Sequence, residues 1–181
     1  MTEVTCTQPT QLQLKQPTQL QHILAHQAAA HADSVALWWQ GAAISYATLQ
    51  HNSAATAARL AATGASGDRV AVLSWNCPAF VELIYATAAA GRILVPLNAR
   101  LAPAELIYQL QSSGATLLFA DPALLAPVQA HSDFPAGLHV IALDDAYSAW
   151  RASTGTSQPP AAPATTKPDD PVWILFTSGS T

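Results

Sequence analysis

Charge is scarce in this sequence: 10% of its residues are Asp, Glu, Lys or Arg, eleven acidic against seven basic. No run of Lys or Arg is present to neutralise phosphates along a backbone, which argues against nucleic-acid binding. Cysteine is scarcer still. Cys6 and Cys77 make no disulfide framework, and two such thiols fit a reducing cytosol. Long apolar runs are missing as well. None approaches the ~20 residues of a transmembrane helix, and the polar, Gln- and Thr-rich residues 1–15 lack the apolar stretch of a secretory signal. No internal repeat appears. These absences leave a soluble, cytoplasmic protein as the expectation.

What is present is apolar and rich in alanine. Half of the 181 residues are apolar, enough for a sizeable buried core and too many for a disordered chain. Alanine favours helices and close packing. Residues 1–17 read as a loose leader. From Thr18, Leu20, Ile23 and Leu24 fall at helical spacing. Residues 35–39 read as a strand, Gln40-Gly41 as a turn, and 43–46 as the hairpin partner. A long Ala-rich helix follows over 47–62, with Gly64 placed to end it.

Beyond Gly64 the pattern becomes regular. Residues 69–74 form a short continuous apolar run bounded by Gly67-Asp68, as expected of a strand covered on both faces. Asn76 is a candidate cap for a helix with Pro78 in its first turn, running to Gly91. Strands are expected at 92–96, 116–120 and 138–143, and a helix from Pro103 to about Gly114. Strand alternating with helix is the mark of a parallel sheet with crossover helices. The fold class is therefore α/β: a mainly parallel sheet plus an early β-hairpin. Residues 18–151 make up this α/β region, and the Ala-, Pro- and Thr-rich residues 152–171 read as an exposed connector. A last apolar run, 172–176, leads into Thr177-Ser178-Gly179-Ser180-Thr181.

That final segment carries the chemistry. A buried strand presents the residues after it at the carboxyl edge of the sheet, where α/β proteins bind ligands. Gly179 lets the backbone approach a phosphate closely. Four hydroxyls and exposed backbone N–H groups can donate to phosphate oxygens. The plain alternative is an ordinary polar loop after a strand. The GxxxxGK[ST] nucleotide loop is not matched.

The run Asp169-Asp170-Pro171-Val-Trp-Ile-Leu-Phe-Thr-Ser-Gly-Ser-Thr181 resembles the phosphate-loop motif of the adenylate-forming (AMP-binding) superfamily, which includes acyl-CoA synthetases, peptide-synthetase adenylation domains and firefly luciferase. Three upstream segments agree in order. Ile44-Ser45-Tyr46-Ala47-Thr48-Leu49 resembles the first core motif, and Tyr85 to Asn98, with Gly91 and Pro96, the second; Asn76 stands where an Asn commonly precedes the intervening helix. The resemblance covers about residues 18–181 and implies part of the large N-terminal domain of that fold. It also implies that Thr177, Ser178, Gly179, Ser180 and Thr181 hold the β- and γ-phosphates of ATP, and that Thr177 helps to hold Mg²⁺.

The Asn98-x-Arg100-Leu run and the Pro103-x-Glu105-Leu106 helix start look like the acyl-CoA synthetase branch, with Ala102 departing from a common Ser or Thr cap. A carboxylic acid, ATP and CoA would then be the reactants. The resemblance places the later Lys, Glu and Asp residues of the family beyond Thr181, so no catalytic residue is assigned in this chain. A companion polypeptide carrying the remainder of the enzyme is expected. Two further readings stay open: an enzyme that loads a carrier protein, and a non-catalytic binding module. His22 and His26, four apart, lack the Glu of a zinc-protease motif and are not read as a metal site. Asp144-Asp145 is expected to mark a helix N-terminus.

Overall fold

The computed structural model describes residues 19–153, 166, 167 and 169–177. The expectations for the leader, for most of the connector and for Ser178, Gly179, Ser180 and Thr181 fall outside these residues. Helix α1 spans Leu20–Ala30 and starts at Gln19 without a side-chain cap. A hairpin of β1, Val35–Trp39, and β2, Ala42–Ser45, follows. Gln40 at φ 49° and Gly41 at φ 82° form its two-residue turn. Positive φ at both positions matches the right-handed twist of a hairpin. Ser45 then caps α2, Tyr46–Thr63, by accepting from the Thr48 N–H at 3.2 Å.

The remaining strands form one parallel sheet in the order β4-β3-β5-β6. They are β3, Arg69–Leu73; β4, Ile93–Pro96; β5, Leu117–Ala120; and β6, His139–Ala142. Helix α3, Pro78–Ala89, links β3 to β4; α4, Pro103–Ser113, links β4 to β5; α5, Pro122–Gln129, links β5 to β6. The first crossover runs one way along the sheet and the next two run back. Crossovers of one hand that reverse direction must lie on opposite faces. That is what the packing shows.

Strand residues alternate between two cores. Val70, Val72, Leu117 and Phe119 pack with Leu60 of α2 and with Leu83 and Ala86 of α3. Ala71, Leu73, Leu118 and Ala120 pack with Leu106 and Leu110 of α4 and with Leu125 and Val128 of α5. Small residues act structurally here: Ala86 of α3 and Ala90 just past its end are buried against the sheet, which lets the helix approach closely. A last helix, α6, Asp145–Ala152, returns to the first face with Tyr147 and Trp150. Asp144 caps it by accepting from the Ala146 N–H at 2.8 Å. It starts where the paired aspartates predict.

Four details differ from the sequence reading. Cys77, not Asn76, precedes α3, and it provides no side-chain cap; Pro78 at the first helical position leaves one fewer unpaired N–H at the helix start. Helix α5 escapes the sequence because Pro127 sits inside it; capped by Asp121 and opened by Pro122, it forms on its packing through Leu125 and Val128. At α4, Glu105 Oε2 accepts from the Ala102 N–H at 2.9 Å, so half of the cap survives without a hydroxyl at Ala102.

The fourth difference concerns 172–176, expected as a strand buried on both faces. Trp173 makes a single parallel bridge to Leu94. The Leu94 N–H donates to the Val172 carbonyl and the Ile174 N–H to the Leu94 carbonyl, both at 2.9 Å. Ile174 and Phe176 pack into the second core, whereas Trp173 is 40% exposed and Leu175 60%. The segment is thus an edge with one covered face among the described residues.

Candidate functional site

The carboxyl edge of the sheet is where the connecting loops gather. Ser74 to Cys77 leave β3, Leu97 to Ala102 leave β4, Asp121 follows β5 and Asp144 follows shortly after β6. Because Trp173 bridges Leu94 in parallel, Thr177 lies beyond the same edge, level by residue count with Asn98. Both side chains are exposed. The fold therefore carries Thr177 to the edge where the sequence expects a ligand.

Around it the loops are held by their own hydrogen bonds. Asn98 Oδ1 accepts from the Arg100 N–H at 3.0 Å, and the Leu101 N–H donates to the Asn98 carbonyl at 3.0 Å. Ser74 Oγ donates to the Trp75 carbonyl at 2.7 Å and lies 3.4 Å from Cys77 Sγ. Asn76 and Trp75 are exposed. The carboxylates of Asp121 and Asp144 are each engaged as helix caps. Among the described residues no group of three or more His, Cys, Asp or Glu could hold a metal ion. Thr177 offers a hydroxyl oxygen, a hard donor of the type Mg²⁺ accepts.

Behind this edge, on the first face, lies a polar knot that the sequence reading missed. Glu82 of α3 is only 5% exposed in a helix that is otherwise mostly apolar. It accepts from Asn52 Nδ2 at 2.7 Å, from the Tyr147 hydroxyl at 3.0 Å and from Arg151 Nη1 at 2.7 Å. The Tyr147 hydroxyl also lies 2.9 Å from Thr56 Oγ1. Burial, reinforced by the nearby Glu82 charge, pushes the Tyr147 phenol well above its ordinary value. The ring of Phe119 meets Tyr147 and Trp150 edge-on, at 5.7 and 5.1 Å between centroids. The knot fastens α2, α3 and α6 to one another. A lone Glu within an apolar helix, and Tyr147 four residues before Arg151, were its traces in the sequence.

A separate cleft lies elsewhere among the described residues. It has a volume of about 370 Å³ and is lined by Gln21, Ser66, Arg92, Ile93, Thr166 and Lys167, at the amino end of β4. It is remote in the topology from Thr177 and carries none of the expected phosphate-loop residues.

Comparison with known proteins agrees with this architecture. The sequence pattern of the family described as "AMP-binding enzyme" matches residues 24–181. The fatty acid–[acyl-carrier-protein] ligase ScoC of Streptomyces coeruleorubidus is 36% identical over 78% of this chain and 27% of its own length. A feruloyl-CoA synthase of an Amycolatopsis species is 37% identical, again over 78% of this chain and 27% of its own. Among solved structures, the inhibitor-bound N-terminal domain of FACL13 from Mycobacterium tuberculosis matches with a TM-score of 0.78 at 29% identity. That match covers 90% of this chain and 42% of the other. The anthranilate CoA ligase AuaEII reaches a TM-score of 0.80 at 19% identity, over 89% of this chain and 31% of its own, and so speaks to fold alone. The chain spans about a quarter of the length of these curated relatives.

Proposed function

The chain belongs to the AMP-binding enzyme family, and from that membership we propose that it supplies the first part of an AMP-forming acid–thiol ligase. The reaction has two halves. A substrate carboxylate attacks the α-phosphate of ATP, the bond to the leaving pyrophosphate breaks, and an acyl-adenylate remains. The thiol of CoA then takes the acyl group and AMP departs. The reading rests most on one observation: Thr177 follows a segment bonded in parallel to β4 and stands beyond the carboxyl edge of the sheet.

In this reading the residues from Thr177 to Thr181 bind and orient the β- and γ-phosphates. Hydroxyls and backbone N–H groups balance phosphate charge there and transfer no proton. The Thr177 hydroxyl would be a ligand of Mg²⁺, whose chemistry when bound is to neutralise developing charge on the phosphates. The remaining chemistry belongs to sequence that residues 1–181 do not hold. The assay is therefore run on protein that carries both parts, whether on one polypeptide or with a companion.

Such protein should exchange pyrophosphate into ATP when given the right organic acid, then form a CoA thioester. Thr177→Ala should weaken adenylation by about 1–3 kcal/mol, the worth of a hydrogen bond to a charged group. Exchange by Thr177→Ala equal to the parent's would reject the phosphate-loop assignment. A second acceptor has specific support, since ScoC is a ligase for an acyl carrier protein. Thioester formed on a carrier protein and not on CoA would favour that reading.

A further inference from the structure

At the amino edge of the sheet, opposite Thr177, a polar cleft of about 340 Å³ opens where the strands begin. Asp68 enters β3 there, Arg92 enters β4, Thr116 enters β5, and His139 opens β6. The end of α2 adds Arg59, and α6 adds Trp150. Two guanidiniums thus reach one cleft from different elements.

Both have unfilled donors. Arg92 is 3% exposed; its Nη2 donates to the Leu60 carbonyl, while its Nε, shut away from solvent, has no partner. Arg59 lies 5.8 Å from the Trp150 ring centroid, and its Nε is likewise shut away and unpartnered. Burial lowers the Arg92 pKa and nearby Asp68 opposes that effect, so the cation is costly to keep and gains from an anion. Asp68 also faces the cleft, its Oδ2 accepting from the Ala65 N–H at 2.8 Å. Two guanidiniums against one carboxylate leave the cleft with net positive charge. A carboxylate is satisfied by one guanidinium fork, whereas a phosphate has oxygens enough to share between two. The Thr63 hydroxyl is already spent on the Arg59 and Leu60 carbonyls, so the exposed Thr116 and His139 form the polar rim.

We propose that this amino-edge cleft binds a phosphate group, with Arg59 and Arg92 as its charged donors. The inference stands apart from the adenylation reading, because the ligands of open α/β sheets gather at the opposite edge. Calorimetric titration of the full chain with sodium phosphate, against sodium chloride at matched ionic strength and without ATP, tests it. Phosphate should give a saturable heat, and Arg59→Gln should weaken it at least about tenfold, a loss of about 1.4 kcal/mol. Thr116→Glu, a change at the exposed rim that spares the core, should abolish the binding by repulsion and serves if Arg59→Gln does not fold.

Glycerol phosphate in a parallel titration separates the sources. Tighter binding than inorganic phosphate points to a phosphomonoester, and weaker binding to the free ion. The proposal is overturned if phosphate gives no more heat than chloride, if acetate binds as tightly, or if both variants bind like the parent. It also fails if Thr177→Ala, and not Arg59→Gln, removes the binding, since the ion would then sit at the carboxyl edge.

Discussion

Gly64 shows how a single residue can be fixed by its neighbours and not by its own backbone. Its φ of −179° is extended, which any residue can adopt. Space is the constraint: a Cβ there would overlap Arg92 Nη2 and come within 2.7 Å of Asp68 Oδ2. Arg92 is buried with its Nη2 donating to the Leu60 carbonyl, so it gives way only by losing that bond. Gly64→Ala should therefore cost about 1–3 kcal/mol of stability, the range for overpacking. Urea denaturation measures it, and in an Arg92→Leu background most of that cost should vanish, since touching residues are not additive. Tyr147 gives a second prediction, from its raised pKa. The fold favours the neutral phenol, so this stabilisation is complete below the unfolded value of about 10 and is lost as pH rises through the folded one. The urea midpoint should fall between about pH 9 and about pH 11 more steeply in the parent than in Tyr147→Phe. Equal slopes would mean that Tyr147 is not held as the structure has it. Tyr147 could not be singled out from sequence and Gly64 was legible only as the end of α2, because Glu82 and Arg92 reach them only through the fold.

Elements were legible where local chemistry and packing agree. The α2 start was readable to within a residue, expected at 47 and found at Tyr46, and Ser45, which both ends β2 and caps the helix, is what fixes it. The turn before β2 was readable because Gly41 accepts positive φ. Strand β3 was readable as a continuous apolar run because helices cover both its faces. The same rule misled at 172–176, where an equally apolar run has one covered face among the described residues. That asymmetry predicts an alternating response to mutation. Ile174→Ala, which removes side-chain volume packed on the second core, should cost about 2 kcal/mol or more. Leu175→Ala, at an exposed position, should stay within about 0.5 kcal/mol in the same chain. Equal losses at the two positions, read by thermal or urea unfolding, would contradict the single-faced packing. Helix α5 was illegible for the opposite reason: the internal Pro127 spoke against it, and contacts through Leu125 and Val128 outweighed that signal.

At the scale of the whole molecule, one sheet divides two cores that share its strands but not their helices. Leu83 on α3 and Leu110 on α4 are buried in different cores with the sheet between them. Each change to Ala should cost about 2–5 kcal/mol. The double variant should cost close to the sum, within about 0.5 kcal/mol, in a single cooperative transition. Two separate transitions would show that the cores fold as independent units. The sequence by itself determined the α/β class, the parallel alternation, the hairpin and the family resemblance, because each is written in short-range periodicity, turn residues and contiguous motifs. The run from Thr177 to Thr181 stood out in the same way, as a contiguous motif after an apolar run, and its phosphate role is the proposal that Thr177→Ala tests. Only the tertiary structure decided the strand order, with β3 between β4 and β5, since order depends on which way each crossover turns. It alone set Thr177 level with Asn98 and gathered Glu82, Tyr147, Arg151 and Asn52 into one knot. Those residues lie far apart in sequence, and no local pattern encodes a meeting that depends on how several helices pack across a sheet.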